Sequence, residues 1–211
     1  MSPQPVPFSP GPILPPDFFE RTTETVAREL LGKVLVTSFG QDVTAGRIVE
    51  TEAYLGVGDP GSHAATRGIT PRNRVMYGPP GHAYVYFTYG NHHMLNLVTC
   101  AEGTAGAVLI RAIEPTQGIE VMVARRGGRT GVDVTNGPGK LAQALGIDMS
   151  HNGMELAGSI VVLEGQAPPP ADVSASGRIG LARGHDLQLR FYISGNPFVS
   201  KGRTGQKSPR S

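Results

Sequence analysis

"KVLVTSFGQDVTAGRIVETEAY", residues 33–54, decides the class of fold. "KVLVTSF" and "AGRIVETEAY" alternate or run apolar as strands do, and the turn "GQD" lies between them. A connection this short suits antiparallel strands, because a parallel pair needs a crossover of a dozen or more residues. Working outward, "AYVYF" (83–87), "MLNLVT" (94–99) and "AVLIRAI" (107–113) are three more strand candidates. "SIVVLEG" (159–165), "GRIGLA" (177–182) and "LRFYIS" (189–194) are expected as late strands. Helices are fewer. Asp17 and Glu20 suggest an N-cap and its capping-box partner, followed by the apolar face Phe19, Val26, Ala27, Leu30 and Leu31 and a stop at Gly32. Residues 117–126 look helical, and "NGPGKLAQALGI" (136–147) reads as a turn into a short helix, with Asn136 near the cap and Pro138 in the first turn. Strands separated by turns more often than by helices predict a mixed α/β (α+β) fold. A largely antiparallel sheet with helices packed on it is expected, not a doubly wound parallel sheet.

The totals bound the rest. A chain of 211 residues supports one domain with a sizeable core. Residues 1–16 are proline-rich and expected to form a disordered or extended arm, residues 17–200 the domain, and 201–211 a flexible basic tail carrying Lys201, Arg203, Lys207 and Arg210. The single cysteine, Cys100, excludes an internal disulfide framework and any zinc site with several cysteine ligands. The start has neither a basic nor an apolar region of a signal peptide, and no apolar run reaches membrane-spanning length, so a soluble intracellular (cytoplasmic) protein is expected.

The net charge of +2 is modest, but its distribution is not even. From Pro60 to Ala101 there is no acidic residue, while Arg67, Arg72, Arg74, four of the six histidines and four of the six tyrosines fall there. Cations interleaved with aromatics suit a polyanion with stackable bases, although an acid-poor loop region explains charge alone about as well.

Polar residues interrupt the apolar strands. Glu50 and Glu52 are two apart and so share one face, which is unfavourable unless something neutralises or uses them. Tyr84 and Tyr86 share a face of their strand, leaving Val85 and Phe87 for the core. Asn96 and Arg111 stand inside apolar strands and need partners or a cavity. "NGPGKL" is not a phosphate-binding P-loop, since that spacing requires glycine at Val134 and serine or threonine at Leu141. A glycine-rich turn entering a helix, with Lys140, still offers donors to a phosphate. His92 and His93 are adjacent, not at ligand spacing, and no metal or cofactor is expected.

"ELLGKVLV", "GRIVETEAYLG", "TPRNRVMYGPPGHAYVYFTYGNHHMLN", "AVLIRAIEP", "NGPGKLAQALGI" and "RFYISGNPFVS", in this order from about Asp17 to Ser200, resemble the alkyladenine (3-methyladenine) DNA glycosylase family. The resemblance implies a single domain around a curved, mainly antiparallel sheet, acting as a monomer on double-stranded DNA that contains damaged purines, without a metal. It implies Glu52 as the general base that activates water and Arg111 beside that water. Tyr54, His63 and Tyr86 would be walls of the base pocket, and Asn96 would crowd the place of guanine's 2-amino group. Tyr89 would be the wedge that replaces the flipped nucleotide, and Lys140, Arg72 and Arg126 would hold DNA phosphates. The chain departs from animal members at Asn91–His92–His93, where they carry bulkier or apolar residues, and this bears on the wedge's support.

This chemistry suits the residues. Extruding a base costs a few kcal/mol, and stacking on aromatic walls returns about 1–3 kcal/mol per base. A cationic alkylated purine is drawn further to tyrosine faces by about 0.5–2 kcal/mol and departs without an acid, so one carboxylate suffices. A neutral base such as hypoxanthine also needs a proton as it leaves. Three readings remain beside this one: a non-catalytic nucleic-acid-binding module, a bifunctional glycosylase-lyase using Lys140, and a sugar or nucleoside hydrolase with a small-molecule substrate.

Overall fold

The structure is a computed structural model and describes residues 11–65, 68–88 and 90–201. Two short helices, α1 (Pro16–Phe19) and α2 (Thr23–Glu29), precede strands β1 (Val34–Phe39) and β2 (Asp42–Tyr54). Then come β3 (Ala83–Thr88), β4 (His92–Val98) and β5 (Ala107–Gln117), helices α3 (Ile119–Arg125) and α4 (Pro138–Leu145), and strands β6 (Ile160–Leu163), β7 (Val173–Ser176) and β8 (Arg190–Ile193). All strand pairs are antiparallel, in the order β3-β4-β5-β2-β1-β6, with β8 added beside β2 and β7 beside β8. The sheet curls into a half-barrel, and the mixed α/β class expected from the short turns is the one observed. Helix α2 with its C-cap Leu30, and helix α4, supply Val26, Ala27, Leu30, Leu141 and Leu145 to a core shared with Leu35, Ile48, Leu95 and Ile110 of the sheet.

β2 positions the site. β5 flanks it along one side from Ala45 to Tyr54. On its other side β1 pairs its first half, as far as Arg47, and β8 pairs Glu50 to Glu52. The two glutamates therefore lie between strands on both sides. The ladder to β5 slips twice here. Val49 is skipped between the pairs Ile48↔Ile113 and Glu50↔Ala112, and Arg111 is skipped between Glu50↔Ala112 and Thr51↔Ile110. A bulge frees its residue from the pleat and re-aims the side chain, which is how Arg111 comes to reach two carboxylates on the neighbouring strand.

Some expectations are corrected. The helix expected from Asp17 to Leu31 is broken after Phe19, because the carbonyls that would continue it are taken: Phe18 O by Arg21 Nε at 2.9 Å and Phe19 O by the Cys100 N–H at 3.1 Å. Pro15 is the N-cap of α1 and the capping box of Asp17 with Glu20 does not form; a capping box occurs instead at Asp148 and His151. "GRIGLA" is not a strand; β7 ends at Ser176, and the segment after it spends its polar groups on the site described below. Phe87, expected in the core, is 44% exposed. Of the proline-rich arm, residues 1–10 lie outside the described residues, whereas Leu14 is buried and its N–H bonds Val162 O at 2.8 Å, covering the free edge of β6. The basic tail beyond Lys201 lies outside the described residues.

Candidate active site

Glu50 and Glu52 project from β2 and both are fully buried. Arg111, itself 6% exposed, joins them: its Nε donates to Glu50 Oε1 at 2.8 Å, and its Nη1 lies 3.2 Å from Glu52 Oε1. The surroundings of the two carboxylates differ. Glu50 Oε1 accepts from Arg111 Nε, Arg190 Nε (2.7 Å) and Ser200 Oγ (2.8 Å), and Oε2 accepts from the Ser200 N–H (2.6 Å). Burial would raise its pKa, but the two arginines and the Ser200 N–H outweigh it, and Glu50 is held below the ordinary carboxylate value. Glu52 Oε1 accepts from the Ile179 N–H at 2.8 Å, and among the described residues Oε2 accepts from the Tyr54 hydroxyl alone, at 2.8 Å. Arg111 is pushed up despite burial, first by Glu52 and then by Glu50, and stays charged.

Tyr54 links this carboxylate to a pocket lined by Tyr54, Gly61, His63, Met76, Tyr84, Tyr86, Asn96 and Leu181. Tyr84 and Tyr86 come from one face of β3, as their spacing requires, with ring centroids 5.4 Å apart. His63 stands edge-on to both, at 6.4 and 4.7 Å, and its Nδ1 is 3.0 Å from the Tyr84 hydroxyl. Asn96, directly opposite Tyr84 on β4, donates from its amide to Tyr84 O at 3.0 Å and turns its end into the pocket. Burial raises Tyr54 well above its usual value, reinforced by Glu52, and pushes Tyr84 up to about 12. The hydroxyls therefore remain neutral donors at physiological pH. Burial, and then Arg72, lower His63, which keeps a neutral imidazole on the wall.

Six of the residues expected in the site thus converge: Glu52, Arg111, Tyr54, His63, Tyr86 and Asn96. Arg72 stands at the rim, its guanidinium 5.1 Å from the Tyr86 centroid and donating to Phe87 O at 3.3 Å. Lys140 and Arg126 fall together elsewhere, around Asp133: Lys140 pairs with its carboxylate and with Asn136 Oδ1 (2.8 Å), and Arg126 Nη2 donates to Asp133 O (3.3 Å). Neither lines the pocket. Tyr89 lies outside the described residues. No group of three or more histidine, cysteine or acidic residues fit to hold a metal occurs among the described residues.

Sequence reading missed the scaffold behind the walls. Arg178 and Asp59 form a buried two-point pair, with both contacts at 2.6 Å, and the Arg178 guanidinium lies 4.7 Å from the Tyr54 centroid. This pair ties the loop that carries His63 to the segment that supplies Ile179 N–H and Leu181. Nothing local marks either residue, since they stand 119 positions apart and Arg178 resembles any strand-edge cation. Arg190 and Ser200 were likewise part of recognisable blocks without a role.

The model of the "Methylpurine-DNA glycosylase (MPG)" family matches residues 17–197. A protein of Chlorobaculum tepidum is 50% identical over 192 residues, covering 90% of this chain and 91% of the relative. One of Methanoculleus marisnigri is 50% identical, covering 89% and 98%, and one of Burkholderia lata 46% identical, covering 93% and 95%. Each of the three is named "Putative 3-methyladenine DNA glycosylase". With a match across nearly the whole domain, this chain belongs to the methylpurine-DNA glycosylase family.

Proposed function

We propose that the protein releases alkylated purines of the 3-methyladenine type from DNA as a monofunctional glycosylase, with Glu52 as the base that activates water. The observation that carries this is a buried carboxylate hydrogen-bonded to Tyr54, an aromatic wall of the pocket, and paired with Arg111. The damaged purine is extruded and enters between Tyr54, His63 and Tyr86. Water oxygen then bonds to C1′ of the sugar as the bond from C1′ to the base nitrogen breaks. The bonding pair leaves with the base, and the water proton passes to Glu52, leaving an abasic site. A cationic base departs neutral and needs no acid. The sugar is positive in character in the transition state, as in other glycoside hydrolysis, and the Glu52 charge stabilises it. Arg111 orients Glu52 and the water. Asn96 narrows the pocket against a 2-amino group, and Arg72, Lys140 and Arg126 contact phosphates, Lys140 exchanging Asp133 for one.

The same arrangement disfavours a lyase. Lys140, the amine considered for a Schiff base, is paired with Asp133 and Asn136 and is not part of the pocket lining. The test is single-turnover base release from methylated DNA, and separately from a duplex with one hypoxanthine, for the wild type and Glu52→Gln. The expected outcome is release by the wild type and a fall of about 10²–10⁴ in rate for the variant, with DNA binding retained. Equal release by both would remove Glu52 from the mechanism. Binding without release by the wild type would favour a non-catalytic module.

A further inference from the structure

Glu50 is not placed to act on substrate, because its oxygens accept four hydrogen bonds and none of its partners lines the pocket. It nevertheless controls a group that can. All three nitrogens of the Arg111 guanidinium are assigned: Nε to Glu50 at 2.8 Å, Nη2 to Ser200 Oγ at 3.3 Å, and Nη1 to Glu52 at 3.2 Å. Glu50 holds the near end of this fork, and Ser200, itself bonded to Glu50 by N–H and hydroxyl, holds one tip. The contact to Glu52 is the longest of the two carboxylate contacts. Arg190 supplies a second positive charge, so two carboxylates face two guanidiniums in the same buried layer.

We infer that Glu50, with Ser200 and Arg190, is a positioning residue for the glycosylase step: it draws Arg111 back, so that Glu52 meets the water as a carboxylate bonded to Tyr54 rather than one closed in an ion pair. This rests on Glu52 being the base, as proposed above. Without the Glu50 charge, Arg111 has one carboxylate left to pair with and closes on Glu52. A carboxylate in a tight ion pair is a weaker base and a poorer partner for water. The charged and titratable groups that face Glu52 are Arg111 from β5, Tyr54 on its own strand, Tyr86 from β3 and Arg178 from the segment after β7, and Glu50→Gln alters only the first of these contacts.

The experiment compares wild type, Glu50→Gln and the double variant Glu50→Gln/Arg190→Gln. Single-turnover release from methylated DNA is measured across pH, together with binding to a duplex carrying a stable abasic-site analogue and thermal unfolding. Glu50→Gln leaves one guanidinium unbalanced and lowers the melting temperature; the double variant restores the charge balance and recovers much of it. The expected result is that both variants bind the duplex within about 3-fold of wild type but release base about 10–100-fold more slowly, with the acid limb of the rate profile moved to lower pH. A merely structural Glu50 predicts that rate returns with stability in the double variant, and that outcome overturns the inference. A Glu50→Gln variant as fast as an active wild type overturns it as well, leaving the assignment of Glu52 untouched. If Glu52→Gln proves fully active, both readings fall together.

Discussion

At the scale of single residues, the Arg178–Asp59 pair shows how burial changes the value of a charge. Both side chains are 0% exposed, and Arg178 also donates to Ala53 O and Gly184 O, at 2.8 and 3.1 Å. An exposed pair of this kind contributes about 0–1 kcal/mol, whereas removing one partner of a buried pair costs about 3–5 kcal/mol because the other charge is left without compensation. Arg178→Met is therefore expected to destabilise strongly, although methionine fills much of the space against Tyr54. Arg178→Met/Asp59→Asn should be less destabilised than Arg178→Met alone. Urea unfolding of the two single variants and the double variant checks this. Additive losses would mean that the pair is not coupled and that the Asp59 bonds to Leu55 N and Gly61 N carry the loop instead.

At the scale of elements, the contact between α4 and the β3–β4 hairpin is the most informative. Gly139, in the first turn of α4, lies against His92 at the start of β4, so close that an added Cβ would fall 2.8 Å from His92 Cγ. Glycine to alanine inside a helix normally gains about 1 kcal/mol. Here the methyl meets a ring near its root, where it cannot swing clear, so the hairpin must give. Gly139→Ala is expected to weaken binding to lesion-containing duplex about five-fold, equivalent to about 1 kcal/mol, and Gly139→Ala/His92→Ala to restore it. Fluorescence anisotropy with a short duplex reads both. An unchanged affinity for Gly139→Ala would detach α4 from the hairpin's placement. Elements were legible in the sequence where periodicity and turn chemistry coincide: β1, β2 and the turn between them, the tyrosine face of β3, and Pro138 opening α4. They were illegible where a distant partner decides. The break after Phe19 needs Cys100, and the loss of strand pairing in 177–182 needs Asp59 and Glu52. No local pattern carries contacts of that separation.

At the scale of the whole molecule, the site's electrostatics set the response of the fold to acid. Glu52, Tyr86, Asn96 and Arg111 were legible as polar residues in apolar strands, and Tyr54 and His63 through the family resemblance, but the neutralising pairs around them were not, and those pairs govern stability. His63 is lowered from 6.5, by burial first and Arg72 next. As pH falls below 6.5 the unfolded chain binds a proton at this position that the folded chain refuses, so stability declines from there down to the folded value. Glu50 and Asp59 are lowered from 4.5 and 3.8, their ion pairs and N–H donors outweighing burial. Their contribution is fully present above those values and is lost as pH falls through the lower folded ones. The exposed Asp148 adds little, being screened. Urea midpoints measured from about pH 8 to about pH 3 should therefore show a shallow decline beginning below 6.5 and a steeper one beginning below 4.5. His63→Gln should flatten the first and leave the second. Glu50→Gln/Arg190→Gln should weaken the second and leave the first. A single acid transition unaffected by either replacement would show that the buried site does not govern the acid limit of the fold.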